Sequence, residues 1–174
     1  VLILADGVIG TMMEPVELPE MMSDEEIAAI RESKKKWACI GHPLDYAHRA
    51  WIQPGQWDTN KMQAVNEEAL RLYNSWEKDV MVEEYCTEDA EVVITAYGIS
   101  GRIAKSVVEM MRAEGKKVGL IRPITVHPFP KASFEKLDYG TCRAILDVEM
   151  SIPAQLAEDV DHAVRGRCPI ETCL

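Results

Sequence analysis

The stretch EVVITAYGISGRIAKSVVEMMRAEGKKVGLIRP, residues 91–123, decides the fold. Its first part, Glu91–Tyr97, is rich in β-branched residues and predicts a buried strand. Gly98–Gly101 predicts a tight turn, and the apolar spacing from Arg102 to Glu114 predicts a helix. A second strand is predicted for Lys117–Arg122. This order indicates a right-handed βαβ unit, in which the two strands lie parallel in one sheet.

The residues that follow extend this alternation of strands and helices. A short helix is predicted around Ser133–Leu137, a strand at Arg143–Glu149, a helix after Pro153 and a last strand at Pro169–Cys173. We therefore expect an α/β domain with an open, mostly parallel sheet. Apolar spacing also predicts which side chains of the two longer helices face the core. They are Ile103, Val107, Met110 and Met111 before the C-cap Gly115, and Leu156, Val160, Ala163 and Val164 near the end.

The first half of the chain has a different character. Val1–Ala5 is continuously apolar and predicts a buried strand, which we interpret as the last strand of a domain that precedes this sequence. Ser23-Asp-Glu-Glu26 matches a capping box and predicts a helix to about Lys36. Residues 37–57 predict an extended loop, and Asn60–Lys78 an amphipathic helix. We expect residues 1–86 to form that end strand plus a linker arm, and residues 87–174 to form the α/β domain.

Charge and composition exclude several classes of function. The 174 residues carry a net charge of −10, which disfavours binding to a nucleic acid backbone. The longest apolar run is too short to cross a membrane. Five cysteines without a C-x-x-C pair indicate reduced thiols and a cytoplasmic protein rather than a disulfide framework.

Candidate binding residues lie at the predicted carboxyl ends of the strands, where open α/β sheets bind ligands. Arg122 is able to bind a carboxylate or phosphate there, although a structural salt bridge explains it equally well. Gly98 to Gly101 lacks the third glycine of a dinucleotide fingerprint, and a tight turn needs glycine for backbone reasons alone. The candidate edge for ligands or interfaces consists of Gly98, Ser100, Gly101, Arg122, Thr125 and His127.

No catalytic or metal-binding constellation emerges from the residues. Cys39, His42 and His48 supply only three ligands at a spacing that matches no standard zinc site, so the sequence favours unrelated loop residues. The other cysteines have no visible base nearby and are expected to be small buried side chains. Neighbouring acids such as Glu83 and Glu84 point apart and are expected to be solvated. We therefore predict no catalytic, cofactor-binding or metal-binding residue in this chain.

Four segments of the chain together resemble a known family. They are ADGVIGTMMEPVELPE at 5–20, the long stretch from Glu88 to Pro130, AILDVEMS at 144–151 and QLAEDVDHAVRGRCPIE at 155–171. These segments resemble the carboxyl-terminal half of the alpha subunit of 2-oxoacid:ferredoxin oxidoreductases. The string DGVIGTMMEPVEL is most similar to the form that acts on 3-methyl-2-oxobutanoate, or 2-ketoisovalerate. His127 stands where the family usually has Trp or Phe.

The resemblance implies a role inside a larger enzyme. In that family, thiamine diphosphate with Mg adds to the 2-oxo acid, CO2 leaves, iron–sulfur clusters carry electrons to ferredoxin, and coenzyme A accepts the acyl group. The resemblance places the catalytic residues in a preceding pyrimidine-binding domain and in other subunits, namely beta, gamma and a ferredoxin-like delta. It implies that residues 87–174 resemble the carboxyl-terminal domain of transketolase, which serves assembly and shapes the active site.

An alternative from another class is a standalone interaction module with the same fold. In that hypothesis, Gly98–Gly101 binds a small anion at a helix N-terminus. If the sequence is part of a longer chain, we expect it to form homo-oligomers or aggregates, because the strand Val1–Ala5 and the Trp-rich loop at 37–57 have lost the surfaces that would cover them.

Overall fold

A computed structural model of the chain describes residues 2–34 and 58–174. These residues divide into two compact units. One comprises the residues up to Met12 together with Leu70–Leu174, and the other comprises the described residues between Met13 and Ala69.

The larger unit is built on a five-stranded sheet with the order β1-β3-β2-β4-β5. Its strands are β1 (Val82–Tyr85), β2 (Val92–Ala96), β3 (Val118–Pro123), β4 (Ala144–Val148) and β5 (Ile170–Cys173). The last four run parallel to one another, and β1 pairs antiparallel with β3, with Glu83 opposite Arg122. The predicted α/β class with an open, mostly parallel sheet is confirmed.

Strand β1 is the element that the sequence did not reveal, because its residues, Val-Glu-Glu-Tyr, carry two charges. Arg112 fastens it to its surroundings. The guanidinium donates to the backbone oxygens of Val118 (2.7 Å) and Cys86 (2.6 Å), and it pairs with Asp89 at 2.8 Å. One side chain therefore connects a helix to the turn after β1 and to the start of β3.

Helices cover both faces of this sheet. On one face lie α4 (Lys131–Glu135) and α5 (Leu156–Val164), whose buried side chains pack on Val93, Ile121 and Ile145. On the other face lies α3 (Gly98–Ala113), where Ala104 and Val108 pack on Ile94 and Leu120. The core thus consists of two apolar clusters separated by the sheet.

Helix α3 corrects two sequence predictions. Gly98–Gly101 is the first turn of the helix rather than a turn before it. Three of the four side chains predicted to face the core, Ile103, Val107 and Met110, are exposed. The buried residues are the small ones, Gly101 and Ala104, with Val108. Small side chains let the helix backbone approach the sheet, so the helix turns these toward the core and leaves the larger apolar stripe outside.

The beginning of the chain also differs from expectation. Residues 2–6 form no strand, and Leu2, Ile3 and Leu4 are highly exposed. A strand needs a hydrogen-bonded neighbour, and all five strands of this sheet lie between Val82 and Cys173. A short 3-10 helix, Ile9–Thr11, follows. The assignment of these residues to a preceding domain stays a prediction.

The smaller unit contains α1 (Asp24–Lys34), and α2 (Thr59–Ser75) begins in it. The predicted capping box of α1 is formed: the backbone N–H of Glu26 donates to Ser23 Oγ at 3.2 Å, and that of Ser23 donates to the Glu26 carboxylate at 2.8 Å. Helix α2 ends earlier than predicted and continues as a 3-10 turn at Trp76–Asp79. The loop predicted at 37–57 lies outside the described residues.

Candidate functional site

The carboxyl ends of three parallel strands meet at one edge of the sheet. Strand β2 runs into Tyr97 and the start of α3, β3 runs into the segment from Ile124 to Pro130, and β4 runs into Glu149 and Ser151. The ends of β2 and β3 carry the six sequence-predicted edge residues. Open α/β sheets bind ligands at this edge, so we call it the carboxyl edge.

The start of α3 is in contact with a carboxylate from the beginning of the chain. Asp6 Oδ2 accepts a hydrogen bond from the Ile99 N–H at 2.8 Å. Gly98 lies beneath it with a φ of +55°, and a Cβ at this position would overlap Asp6 Oδ2. The predicted anion-binding segment Gly98–Gly101 therefore holds a carboxylate of the protein itself.

Arg122 lies in an ion-pair network on the neighbouring strand. Its guanidinium donates to Glu83 Oε2 at 3.1 Å, and Glu83 Oε1 accepts from Lys105 at 2.5 Å. The Lys105 ammonium beside Glu83 lowers the pKa of that carboxyl, although burial opposes the shift, and Arg122 lowers it further. Gly101 packs on the Arg122 side chain, whose Cδ lies 3.0 Å from the position of a glycine Cβ. The structure thus realises the structural salt bridge, one of the two roles predicted for Arg122.

Thr125 and His127 contact the chain that precedes β1. The Met81 N–H donates to Thr125 Oγ1 at 3.0 Å, and the Thr125 N–H donates to the Met81 carbonyl at 3.0 Å. The His127 ring packs edge-on against Tyr73 and Trp76, with ring centroids 6.2 and 5.9 Å away. The aromatic residues at the end of the predicted amphipathic helix therefore pack against this loop.

A buried carboxylate, Glu149, organises the end of β4. One of its oxygens accepts the backbone N–H groups of Gln155 (2.7 Å) and Leu156 (2.9 Å), which begin α5. The other oxygen accepts from Tyr97 Oη at 3.3 Å and from the Ser151 hydroxyl. Although burial opposes it, the hydrogen bonds from Ser151, Gln155 and Leu156 keep the pKa of Glu149 below its ordinary value. Glu149 thereby connects the ends of β2 and β4 with the start of α5.

Asp147 is the buried group that the sequence analysis missed. It is fully buried on β4, opposite Thr95 of β2, and neither its carboxylate oxygens nor Thr95 Oγ1 has a hydrogen-bond partner among the described residues. Burial, together with the neighbouring Glu149 carboxylate, raises the pKa of Asp147 to about 7. The signal was present in the alternation of β4, since Asp147 shares the inward phase of Ile145.

The remaining candidates are simpler to place. Glu83 and Glu84 point to opposite sides as predicted, but both have partners rather than being solvated, Glu84 with Lys136. Cys39, His42 and His48 lie outside the described residues. Within residues 2–34 and 58–174, no group of three or more His, Cys, Asp or Glu side chains is arranged to hold a metal ion. No helix of the described parts is long and apolar enough to span a membrane.

Chemically, the carboxyl edge is a set of internally bonded groups. Asp6, Arg122, Thr125 and Glu149 each bond to another part of the same unit. Of the six predicted edge residues, the structure brings Gly101 and Arg122 into contact. Gly98 lies against Asp6, Thr125 bonds to Met81, and His127 packs on aromatic rings, so the six do not converge on one point.

Comparison with known proteins gives consistent results. Residues 90–173 match the family described as pyruvate:ferredoxin oxidoreductase core domain II. The chain is 39% identical to ketoisovalerate oxidoreductase subunit VorB of Methanothermobacter marburgensis over 94% of this chain and 44% of that relative. It is 29% identical to pyruvate synthase subunit PorA of Methanocaldococcus jannaschii over 87% of this chain and 42% of the relative. The chain thus spans less than half the length of these relatives.

A solved structure shares the fold. The 2-oxoglutarate:ferredoxin oxidoreductase from Magnetococcus marinus superposes with a TM-score of 0.57 at 19% identity, over 67% of this chain and 21% of that one. The resemblance seen in the sequence is confirmed: residues 90–173 match core domain II of pyruvate:ferredoxin oxidoreductases, and nearly the whole chain is similar to part of a ketoisovalerate oxidoreductase subunit.

Proposed function

We propose that this chain is part of the alpha subunit of a 2-oxoacid:ferredoxin oxidoreductase that oxidatively decarboxylates 3-methyl-2-oxobutanoate to an acyl-CoA. The observation that supports this most is the 39% identity to a ketoisovalerate oxidoreductase subunit over 94% of the chain. Relatives named for 2-oxoglutarate and pyruvate are 30% and 29% identical, the former over only 58% of the chain. The ranking of these similarities favours the branched-chain substrate.

Within that enzyme, we assign to this chain the assembly of the subunit and the shaping of the active-site surroundings. The polar groups of the carboxyl edge are bonded to one another, as Glu149 is to Tyr97, Gln155 and Leu156. Such groups hold the backbone in place and are not available to accept a substrate proton. A rigid edge suits a surface against which a catalytic domain packs.

The cofactors of the reaction belong, in this proposal, to other parts of the enzyme. Thiamine diphosphate, Mg, iron–sulfur clusters and CoA would be held by the preceding pyrimidine-binding domain and by the beta, gamma and ferredoxin-like delta subunits in the cytoplasm. The described residues do not fit a diphosphate: Asp6 occupies the N-terminus of α3. Asp6 and Glu149 also add negative charge at this edge, which repels phosphate.

Activity of the intact enzyme tests the proposal. The native complex that contains this chain, purified without oxygen, is assayed for CoA-dependent reduction of ferredoxin with 3-methyl-2-oxobutanoate, pyruvate and 2-oxoglutarate. We expect the highest kcat/KM for 3-methyl-2-oxobutanoate. A higher value for either other acid would overturn the substrate assignment alone, and activity with none of the three would overturn the enzymatic function.

The proposal that other parts of the enzyme bind the cofactors needs a separate test on the 174-residue chain alone. Calorimetric titration with thiamine diphosphate and Mg, and separately with 3-methyl-2-oxobutanoate, is expected to show no binding up to millimolar concentrations. Tight binding of either would contradict the assignment of the cofactors to other parts. A rise in melting temperature with phosphate would instead favour the alternative of a small-anion-binding module.

A further inference from the structure

We propose that Asp6 is a latch that fastens the segment from Leu2 to Met12 to the first turn of α3 at the carboxyl edge. In this arrangement the carboxylate of the chain takes the place that a small anion would occupy at this helix end. The inference rests on the hydrogen bonds of Asp6, on the charge at the start of α3 and on the space that Gly98 leaves.

Asp6 uses both carboxylate oxygens, and each has a different role. Oδ1 accepts from the N–H groups of Val8 (2.8 Å) and Ile9 (3.3 Å), which shapes the turn of its own segment. Oδ2 accepts from Ile99, which is 93 positions away in sequence, at 2.8 Å. One side chain therefore orders the segment and also connects it to the helix.

The helix end lacks a local partner for its positive dipole. Tyr97, at the N-cap position, makes no side-chain capping bond, and the first turn of α3 carries no acidic residue. A helix N-terminus presents unpaired N–H groups and partial positive charge, both of which a carboxylate satisfies. The hydrogen bond from Ile99 is the main cause of the lowered pKa of Asp6, so the carboxylate stays ionised at neutral pH.

The steric fit requires glycine at position 98. Gly98 has a φ of +55°, in the left-handed region that favours glycine, and a Cβ there would overlap Asp6 Oδ2. Thus the residue beneath the carboxylate is the one that leaves room for it. Consistent with this contact, residues up to Met12 belong to the compact unit that contains α3.

Amide hydrogen exchange of the full 174-residue chain at neutral pH tests the latch. In Asp6→Ala, we expect the Ile99 amide to exchange at least tenfold faster, because it loses its acceptor, and the Val8 amide to lose protection as well. The matched control is Glu17→Gln, which changes the same charge in an exposed residue of the other unit and is expected to alter Ile99 exchange less than twofold.

Two further measurements keep the outcome clear. The exchange rate of the Ile94 amide, in the core of β2, reports the global stability of the protein. The effect of Asp6→Ala on Ile99 is therefore measured relative to its effect on Ile94. In Gly98→Ala, Ile99 is expected to lose protection while Val8 keeps it, since the local turn does not need Gly98. Unchanged Ile99 exchange in Asp6→Ala would overturn the latch.

Competition with inorganic phosphate distinguishes the latch from a site that binds external anions. Addition of 50 mM inorganic phosphate to the wild type is expected to leave the Ile99 and Val8 amides unchanged. If phosphate changes Ile99 exchange and releases Val8, the helix end is an external anion site and the proposal is wrong. The test measures no enzymatic activity, so its outcome is independent of the proposed function.

Discussion

Helices α3 and α5 cover opposite faces of one sheet and solve the same packing problem differently. In α5, the predicted apolar residues Leu156, Val160, Ala163 and Val164 are all buried. In α3, the residues that pack are Gly101, Ala104 and Val108, and the larger Ile103 and Met110 remain 59% and 67% exposed. Apolar spacing therefore identifies the buried face only where no stripe of small residues offers closer contact.

The two helices also differ in how their N-termini are satisfied. The first turn of α5 receives the carboxylate of Glu149, which is 7 positions away from Leu156 and 98% buried. The first turn of α3 receives Asp6 from 93 positions away. Both helices lack a side-chain cap of their own. The acceptor for α5 is thus close in sequence and buried in the core. The acceptor for α3 depends on the first residues of the chain lying against the start of that helix.

The largest effect is expected on the α5 side of the comparison. Leu156→Ala removes a buried side chain from the core cluster and is expected to lower the free energy of unfolding by about 2–5 kcal/mol. Urea denaturation measures the change. Leu70→Ala, at a residue that is 58% exposed, serves as the control with an expected change below about 0.5 kcal/mol. Equal losses of stability at the two leucines would contradict the assignment of Leu156 to the core face of α5.

A second prediction concerns Asp147 under the α5 face. Its folded pKa of about 7 lies above that of an unfolded aspartate, so the folded state holds a proton that the unfolded state has released. The contribution of Asp147 to the free energy of unfolding should therefore fall as pH rises from about 4 to about 7 and level off above, by roughly 3–4 kcal/mol in total.

Asp147→Asn should remove this pH dependence, because asparagine does not titrate. Urea denaturation at closely spaced pH values compares the two proteins. The control is Glu17→Gln, at an exposed acid, which should preserve the change of the free energy of unfolding with pH. If the wild type shows no fall in stability between pH 5 and pH 7, Asp147 is ionised in the fold and its environment has been misjudged.

A third prediction sharpens the contact on the α3 side. Ala104→Leu adds three carbon atoms where the helix approaches the sheet and should destabilise the protein by about 1–3 kcal/mol. The matched control is Ser106→Leu, which places the same side chain at an exposed position of the same helix. A neutral effect of Ala104→Leu would mean that α3 does not approach the sheet closely through its small residues.

The smallest effect is expected on the outer stripe of α3. Individual replacement of Ile103, Val107 or Met110 by Ser should change the free energy of unfolding by less than about 0.5 kcal/mol beyond helix propensity. Thermal denaturation of dilute protein measures this. A loss of about 2 kcal/mol at any of the three would show that this stripe, and not Ala104 and Val108, packs on the sheet.

Much of the fold could be predicted from local patterns. The β-branched runs identified β2 to β5, and Ser23 with Glu26 identified the start of α1, because these signals lie within a few residues. Strand β1 was missed because its charges are neutralised by distant residues, such as Lys136 for Glu84. The start of α3 at Gly98 was missed for a related reason, since its capping acceptor is Asp6.

The candidate site was predictable in location but not in detail. The predicted strand ends placed Arg122, Thr125 and His127 at one edge of the sheet, because parallel strands end together. Their contacts with Glu83, Met81 and Trp76 depend on the antiparallel pairing of β1 with β3 and on the position of the residues just before β1. The burial of Asp147 could be inferred from the alternation of β4, but its lack of a hydrogen-bond partner among the described residues depends on the elements packed around it.

Strand β1 also bears on where this domain can be trimmed. The family match begins at residue 90, after β1 has ended at Tyr85, yet β1 forms the sheet edge beside β3. A polypeptide trimmed to residues 90–173 would keep the recognisable module but lose Glu83, the partner of both Lys105 and Arg122, and would uncover the edge of β3. The matched segment 90–173 is therefore shorter than the unit that folds, and a shortened version of this domain should retain residues 70–89 as well.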